Sequence, residues 1–141
     1  MGESITIRLD MVPDRRLAPN ASGTRSGWTK APWIEAQRQA AKHQAMSWDG
    51  VSRPPITDPV TVEVMIFWGK SLKIGKKRTR VEQDRPLDWD SATVICKPML
   101  DGALVDTGIL HDDRLIESGR VRQAIDPDER GYTVITITEV A

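Results

Sequence analysis

The densest chemistry in the sequence lies between Asp88 and Asp113, where Asp88, Asp90, Asp101, Asp112 and Asp113 surround a lysine, Lys97. Carboxylates held within a few ångströms of one another repel, and proteins accept that mainly where a cation compensates. Mg²⁺ suits such a group. It takes hard oxygen ligands, usually one or two carboxylates, with water and a substrate phosphate completing the octahedron. An ion so held activates water, orients a phosphodiester and stabilises the leaving oxygen. Lys97 would offset charge on the scissile phosphate. Other chemistries lack their residues. There is no Walker loop, no Cys/His zinc spacing and no Ser-His-Asp set, and His43 and His111 are the only histidines.

The acids need elements to carry them. At about 100° per residue, Asp90, Thr93, Lys97 and Asp101 fall on one stripe of a helix, with Ala92, Ile95, Cys96, Met99 and Ala103 opposite. The pattern predicts a helix from Asp90 to about Thr107, with Gly108 as its stop, Asp90 as an N-cap candidate and a kink at Pro98. Asp88 and Asp90, two apart in an extended lead-in, would point the same way.

Upstream, Ile5, Ile7 and Leu9 alternate with polar residues, which predicts a strand within Glu3 to Val12. Asp14 to Gly27 reads as a long loop. Pro32 and the alanines Ala36, Ala40, Ala41 and Ala45 predict a helix over Lys30 to Trp48. Asp49 to Pro59 is a connection, and Val60 to Trp68 is the clearest strand. Gly69 to Arg80 holds Lys70, Lys73, Lys76, Lys77, Arg78 and Arg80 and reads as an exposed basic loop. Val121 and its neighbours suggest a short strand, Asp126 to Gly131 a turn, and Tyr132 to Val140 a closing strand. The order β-α-β-α-β-β predicts an α+β domain over residues 1–141, with two main helices on one face of a mixed or antiparallel sheet.

Net charge is zero, but residues 1–80 carry 14 Lys/Arg against 7 Asp/Glu, and residues 81–141 carry 6 against 13. A basic half suits a polyanion and an acidic half suits cations. The neutral total argues against non-specific coating of DNA. A single Cys96 forms no internal disulfide and reads as an inert buried thiol, which suits a reducing cytoplasm. The start Met1-Gly2-Glu3-Ser4 offers no secretion signal, and no apolar run is long enough to span a bilayer.

Asp-x-Asp leading a helix, then Lys-x-x-x-Asp-Gly, then Gly-x-Leu-x-Asp-Asp resembles the RusA family of Holliday-junction endonucleases. The likeness is strong from Arg85 to Asp113, and the order of the remaining elements also agrees. It implies a RusA-like fold, a homodimer, and Mg²⁺-dependent cutting of four-way DNA junctions in recombination and repair, with Mn²⁺ as a substitute ion. It also implies Asp88, Asp90 and Asp113 as metal ligands and Lys97 as the catalytic lysine. The chain departs from the family in having Ser91 where Asn is usual, and in placing Lys97 seven residues after Asp90 rather than closer.

Bland readings stand beside these. Asp88 and Asp90 could be a turn and a cap, Asp112 and Asp113 a solvated pair, and Lys97 a salt-bridge partner. Asp101 divides between a supporting acid and a surface residue, and Asp112 is a further supporting candidate. The basic run, with Arg85, is assigned to DNA phosphates. Trp68 and Trp89 could stack on bases, although core positions are favoured for both. His111 reads as a loop residue. Two alternatives to the nuclease remain: a DNA-binding protein with a weakened site, and a metal-stabilised interaction module without DNA affinity.

Overall fold

A computed structural model describes residues 4–19, 30–47, 54–74 and 77–140. Its elements are β1 (Ser4–Leu9), α1 (Ala31–Ala45), β2 (Val60–Trp68), β3 (Lys70–Ile74), β4 (Thr79–Gln83), α2 (Trp89–Leu100), β5 (Ile116–Ile125) and β6 (Tyr132–Glu139). Period-two alternation builds the main sheet. Ile5, Ile7 and Leu9 of β1, Val62, Val64 and Ile66 of β2, and Ile135 and Ile137 of β6 all point into one buried layer. The strand order is β1-β6-β2-β5. β6 pairs antiparallel with both β1 and β2, whereas β5 runs parallel to β2. A parallel pair needs a crossover, and here it contains β3, β4 and α2. The expected class, α+β with a mixed sheet and two helices, is what the structure has.

α1 and α2 pack on each other and against the sheet. Pro32 sits in the first turn of α1, as its missing N–H favours. α2 buries Ala92, Ile95, Cys96 and Met99 and turns the Asp90–Thr93–Lys97 stripe outward, as its periodicity predicts. Pro98 lies inside this helix, and the chain then widens into a π-type segment, Asp101–Asp106. Gly102 is needed there, since a Cβ would collide with the Arg38 backbone of α1. Arg38 clamps the same crossing by donating to both carboxylate oxygens of Asp106, at 2.7 and 3.1 Å. Gly108 ends the run at φ +83, a left-handed stop suited to glycine.

Three expectations need correction. Gly69 to Arg80 is not a loop: β3 and β4 pair antiparallel as a separate two-stranded hairpin. Its density of like charge masks an alternation in which Leu72, Ile74 and Val81 share one face. The short strand around Val121 is a ten-residue edge strand, whose mostly exposed residues carry little periodic signal. α2 starts at Trp89, so Asp88 rather than Asp90 caps it. In the Asp14–Gly27 stretch, Arg15–Leu17 forms a 3-10 turn, while residues 20–27 lie outside the described residues. Among the described residues, no helix is long and apolar enough to cross a membrane.

Candidate active site

Lys97 joins the two acidic segments. Its ammonium donates to Asp101 Oδ1 and to Asp113 Oδ2, each at 2.8 Å. The first contact spans one turn, from the end of α2 into the π segment. The second crosses to the 3-10 turn Asp113–Leu115 that precedes β5. Two carboxylates from different elements therefore lie no further apart than twice that distance, with a cation between them. Asp101, read from sequence as a supporting or surface acid, is in direct contact. Lys97 remains 59% exposed, so the cluster faces solvent.

The electrostatics follow from this contact. Hydrogen bonding to the Lys97 ammonium, together with its charge, holds the Asp113 carboxyl below the usual carboxylate range. The same bonds to Asp101 and Asp113 hold the Lys97 ammonium above its ordinary value. Asp112 turns aside and caps its own turn by accepting from the Arg114 N–H at 2.9 Å.

Asp88 and Asp90 occupy the start of the same helix, two turns before Lys97. Asp88 accepts the Ser91 N–H at 3.2 Å, satisfying one of the orphan donors of the first turn. Asp90 is exposed in that first turn, where the helix dipole favours a negative charge. Because the helix begins at Trp89, the two acids do not share an extended lead-in. Among the described residues, no three His, Cys, Asp or Glu side chains are grouped closely enough to hold one ion. Asp88, Asp90 and Asp113 are thus not assembled as a three-ligand set. The donors still match a hard cation held by one or two carboxylates and finished by water and phosphate; Asp101 and Asp113 are the pair so placed.

The lead-in to α2 is positioned by a residue that sequence reasoning missed. The Gln123 amide, on β5, accepts from the Leu87 N–H and donates to the Leu87 carbonyl, both at 2.8 Å, and also accepts from the Trp68 indole at 2.9 Å. A glutamine in an edge strand gives no sequence signal for such a clamp. Asp84 is a second missed anchor. It accepts from Ser71 and pairs with Lys73 at 2.9 Å, fixing the hairpin base.

Of the basic residues assigned to phosphate, Lys70, Lys77, Arg78 and Arg85 are exposed. Arg80 is also exposed and pairs with Glu82 at 2.5 Å. Lys76 lies outside the described residues. The tryptophans divide: Trp68 is fully buried, as expected, but Trp89 is 64% exposed and does not join the core. Trp89 borders a groove of about 170 Å³ between α2 and β5, which Lys97, Leu100 and Ile116 also line. Cys96 is buried, and desolvation pushes its thiol up to about 12, consistent with an inert role. His43 and His111 are exposed, outside this cluster.

These features define an α+β protein with a solvent-facing carboxylate–lysine cluster beside an apolar groove, and a basic hairpin preceding the helix that carries them. No protein-family model matches the chain, and no curated protein matches it significantly.

Proposed function

We propose that the protein is a Mg²⁺-dependent, structure-selective endodeoxyribonuclease that resolves Holliday junctions and other branched DNA by phosphodiester hydrolysis. The observation that carries this reading is the double contact of Lys97 with Asp101 and Asp113. A lysine between two carboxylates occupies the position of a compensating cation. It can exchange, because a divalent ion competes for the carboxylates while a phosphate competes for the ammonium. Asp113 and Asp101 would hold Mg²⁺, with Asp88 and Asp90 further along the same helix as the remaining acids. The ion, when bound, supplies an activated water and charge neutralisation at the phosphate. Lys97, released from one acid, is then free to bind a phosphate oxygen. The basic hairpin supplies sequence-independent affinity for the backbone. The resemblance to RusA enzymes and their homodimers supports the same reading, which also accommodates Mn²⁺.

The test is cleavage of a four-way junction with and without Mg²⁺. Wild type should cut only with the ion. Asp113→Asn and Asp101→Asn should each lose cutting by at least about a hundredfold while keeping or strengthening junction binding, since repulsion of phosphate falls. Normal cleavage by Asp113→Asn removes the proposal.

A second reading rests on Asp113 being already engaged by Lys97 and on Ser91 in the first turn: a RusA-like branched-DNA-binding protein with weakened catalysis. It requires binding that persists in EDTA and no cleavage with either Mg²⁺ or Mn²⁺.

A further inference from the structure

We propose that the β3–β4 hairpin is a wedge that sets its apolar face against unstacked bases at a DNA branch point while the cations toward its tip hold the flanking phosphates. This rests on the reading of branched DNA as the ligand, and adds how a branch is distinguished from plain duplex.

The hairpin pairs only with itself and adds no strand to the main sheet. Its register places Leu72 opposite Val81 and Ile74 opposite Thr79 on one face, and Lys73 opposite Arg80 and Ser71 opposite Glu82 on the other, where Lys73 pairs with Asp84 and Arg80 with Glu82. The apolar face is bare: Leu72 is 62%, Val81 64% and Ile74 84% exposed. Lys73, Ile74, Lys77, Arg78 and Arg80 line a concavity of about 310 Å³ toward the hairpin tip.

A two-stranded hairpin without a packed face is marginal in water, so its cover is a partner. Charge decides which. The described hairpin residues include Lys70, Lys73, Lys77, Arg78 and Arg80 against one acid, Glu82, with Asp84 at the hairpin base as a second, still leaving an excess of cations. A second copy docked across a two-fold axis would set these cations against their equivalents. The partner is therefore polyanionic, yet offers apolar surface to three aliphatic side chains. DNA has both. A two-stranded ribbon fits the major groove, and aliphatic wedges part base steps at the expense of stacking. At a branch point that stacking is already interrupted, so insertion there is favoured over insertion into continuous duplex.

The experiment compares binding of a four-way junction and a linear duplex of matched sequence, at low salt in EDTA, with 2-aminopurine at the branch. Leu72→Ser combined with Val81→Ser keeps every charge. It should weaken junction binding roughly tenfold, as expected for reduced apolar burial, leave duplex binding unchanged, and abolish the fluorescence rise expected of wild type. Ile74→Ser, at the strand end where pairing is least perturbed, should show the same selectivity to a smaller degree. Lys77→Gln should weaken both DNAs alike. Wild-type affinity and fluorescence in the serine variants would overturn the wedge while leaving the nuclease reading intact. Loss of a dimer in sedimentation, with unchanged DNA selectivity, would assign the face to self-association and also overturn it. Failure of wild type to bind any DNA would remove the underlying reading itself.

Discussion

Lys97 is the residue on which the cluster depends, and its charge has a definite range of effect. The Asp113 pKa is depressed below the ordinary 3.8, so its contribution to stability is present above that value and fades as pH falls through the lower folded value. The Lys97 pKa is raised above 10.5, so its contribution is complete below that value and fades as pH rises through the higher folded value. The bridge is therefore intact across neutral pH and weakens only toward either extreme. Replacing Lys97 with Gln should return the Asp113 carboxyl upward toward its ordinary value, read by carboxyl-carbon NMR titration. If Asp113 titrates identically in the variant, the ammonium is not what depresses it. The same substitution should reduce cleavage, because no ammonium is then left to bind the phosphate oxygen.

At the scale of elements, the lead-in to α2 depends on β5 through a single side chain. Gln123→Ala would leave the Leu87 N–H and carbonyl and the buried Trp68 indole without their partner. Each unsatisfied buried group costs about 1–3 kcal/mol, less where water reaches it. A loss of about 2 kcal/mol in urea unfolding is expected from that range, together with slower cleavage, since Asp88 and Asp90 follow directly. Unchanged stability would show that water replaces the clamp. The strands show how far local pattern reaches. β1, β2 and β6 are legible because one face of each is buried and the other is not. β3 and β4 carry the same alternation, but with both faces exposed the apolar positions read as incidental beside so many lysines and arginines. The partners of Gln123 lie 36 and 55 residues away, beyond any local period.

For the whole molecule, the excess of positive charge and the acidic cluster lie in different elements. The hairpin is basic, whereas α2 and the turn before β5 present acids around one lysine. Such a protein should bind junction DNA with the logarithm of its affinity falling linearly against the logarithm of salt concentration. Changing both Lys70 and Lys77 to Gln should lower that slope by roughly 0.9 for each phosphate no longer neutralised. A slope unaffected by these changes would place the phosphate-binding groups elsewhere. The edge strand β5 and the separate hairpin leave backbone groups open to a partner, as edge strands do.

Sequence alone determined the strands with one buried face, the two-faced helix that aligns Asp90, Thr93 and Lys97, the glycine stop at Gly108 and the chemistry the acids can support. These depend on side-chain period and residue type, which act within a few positions. Only the tertiary structure decided that Lys97 reaches Asp113, 16 residues on, and that Gln123 steadies the helix entrance. Those outcomes depend on how the chain returns after Gly108 and on which strand lies beside β2. Packing over long separations settles both, and no local pattern encodes them.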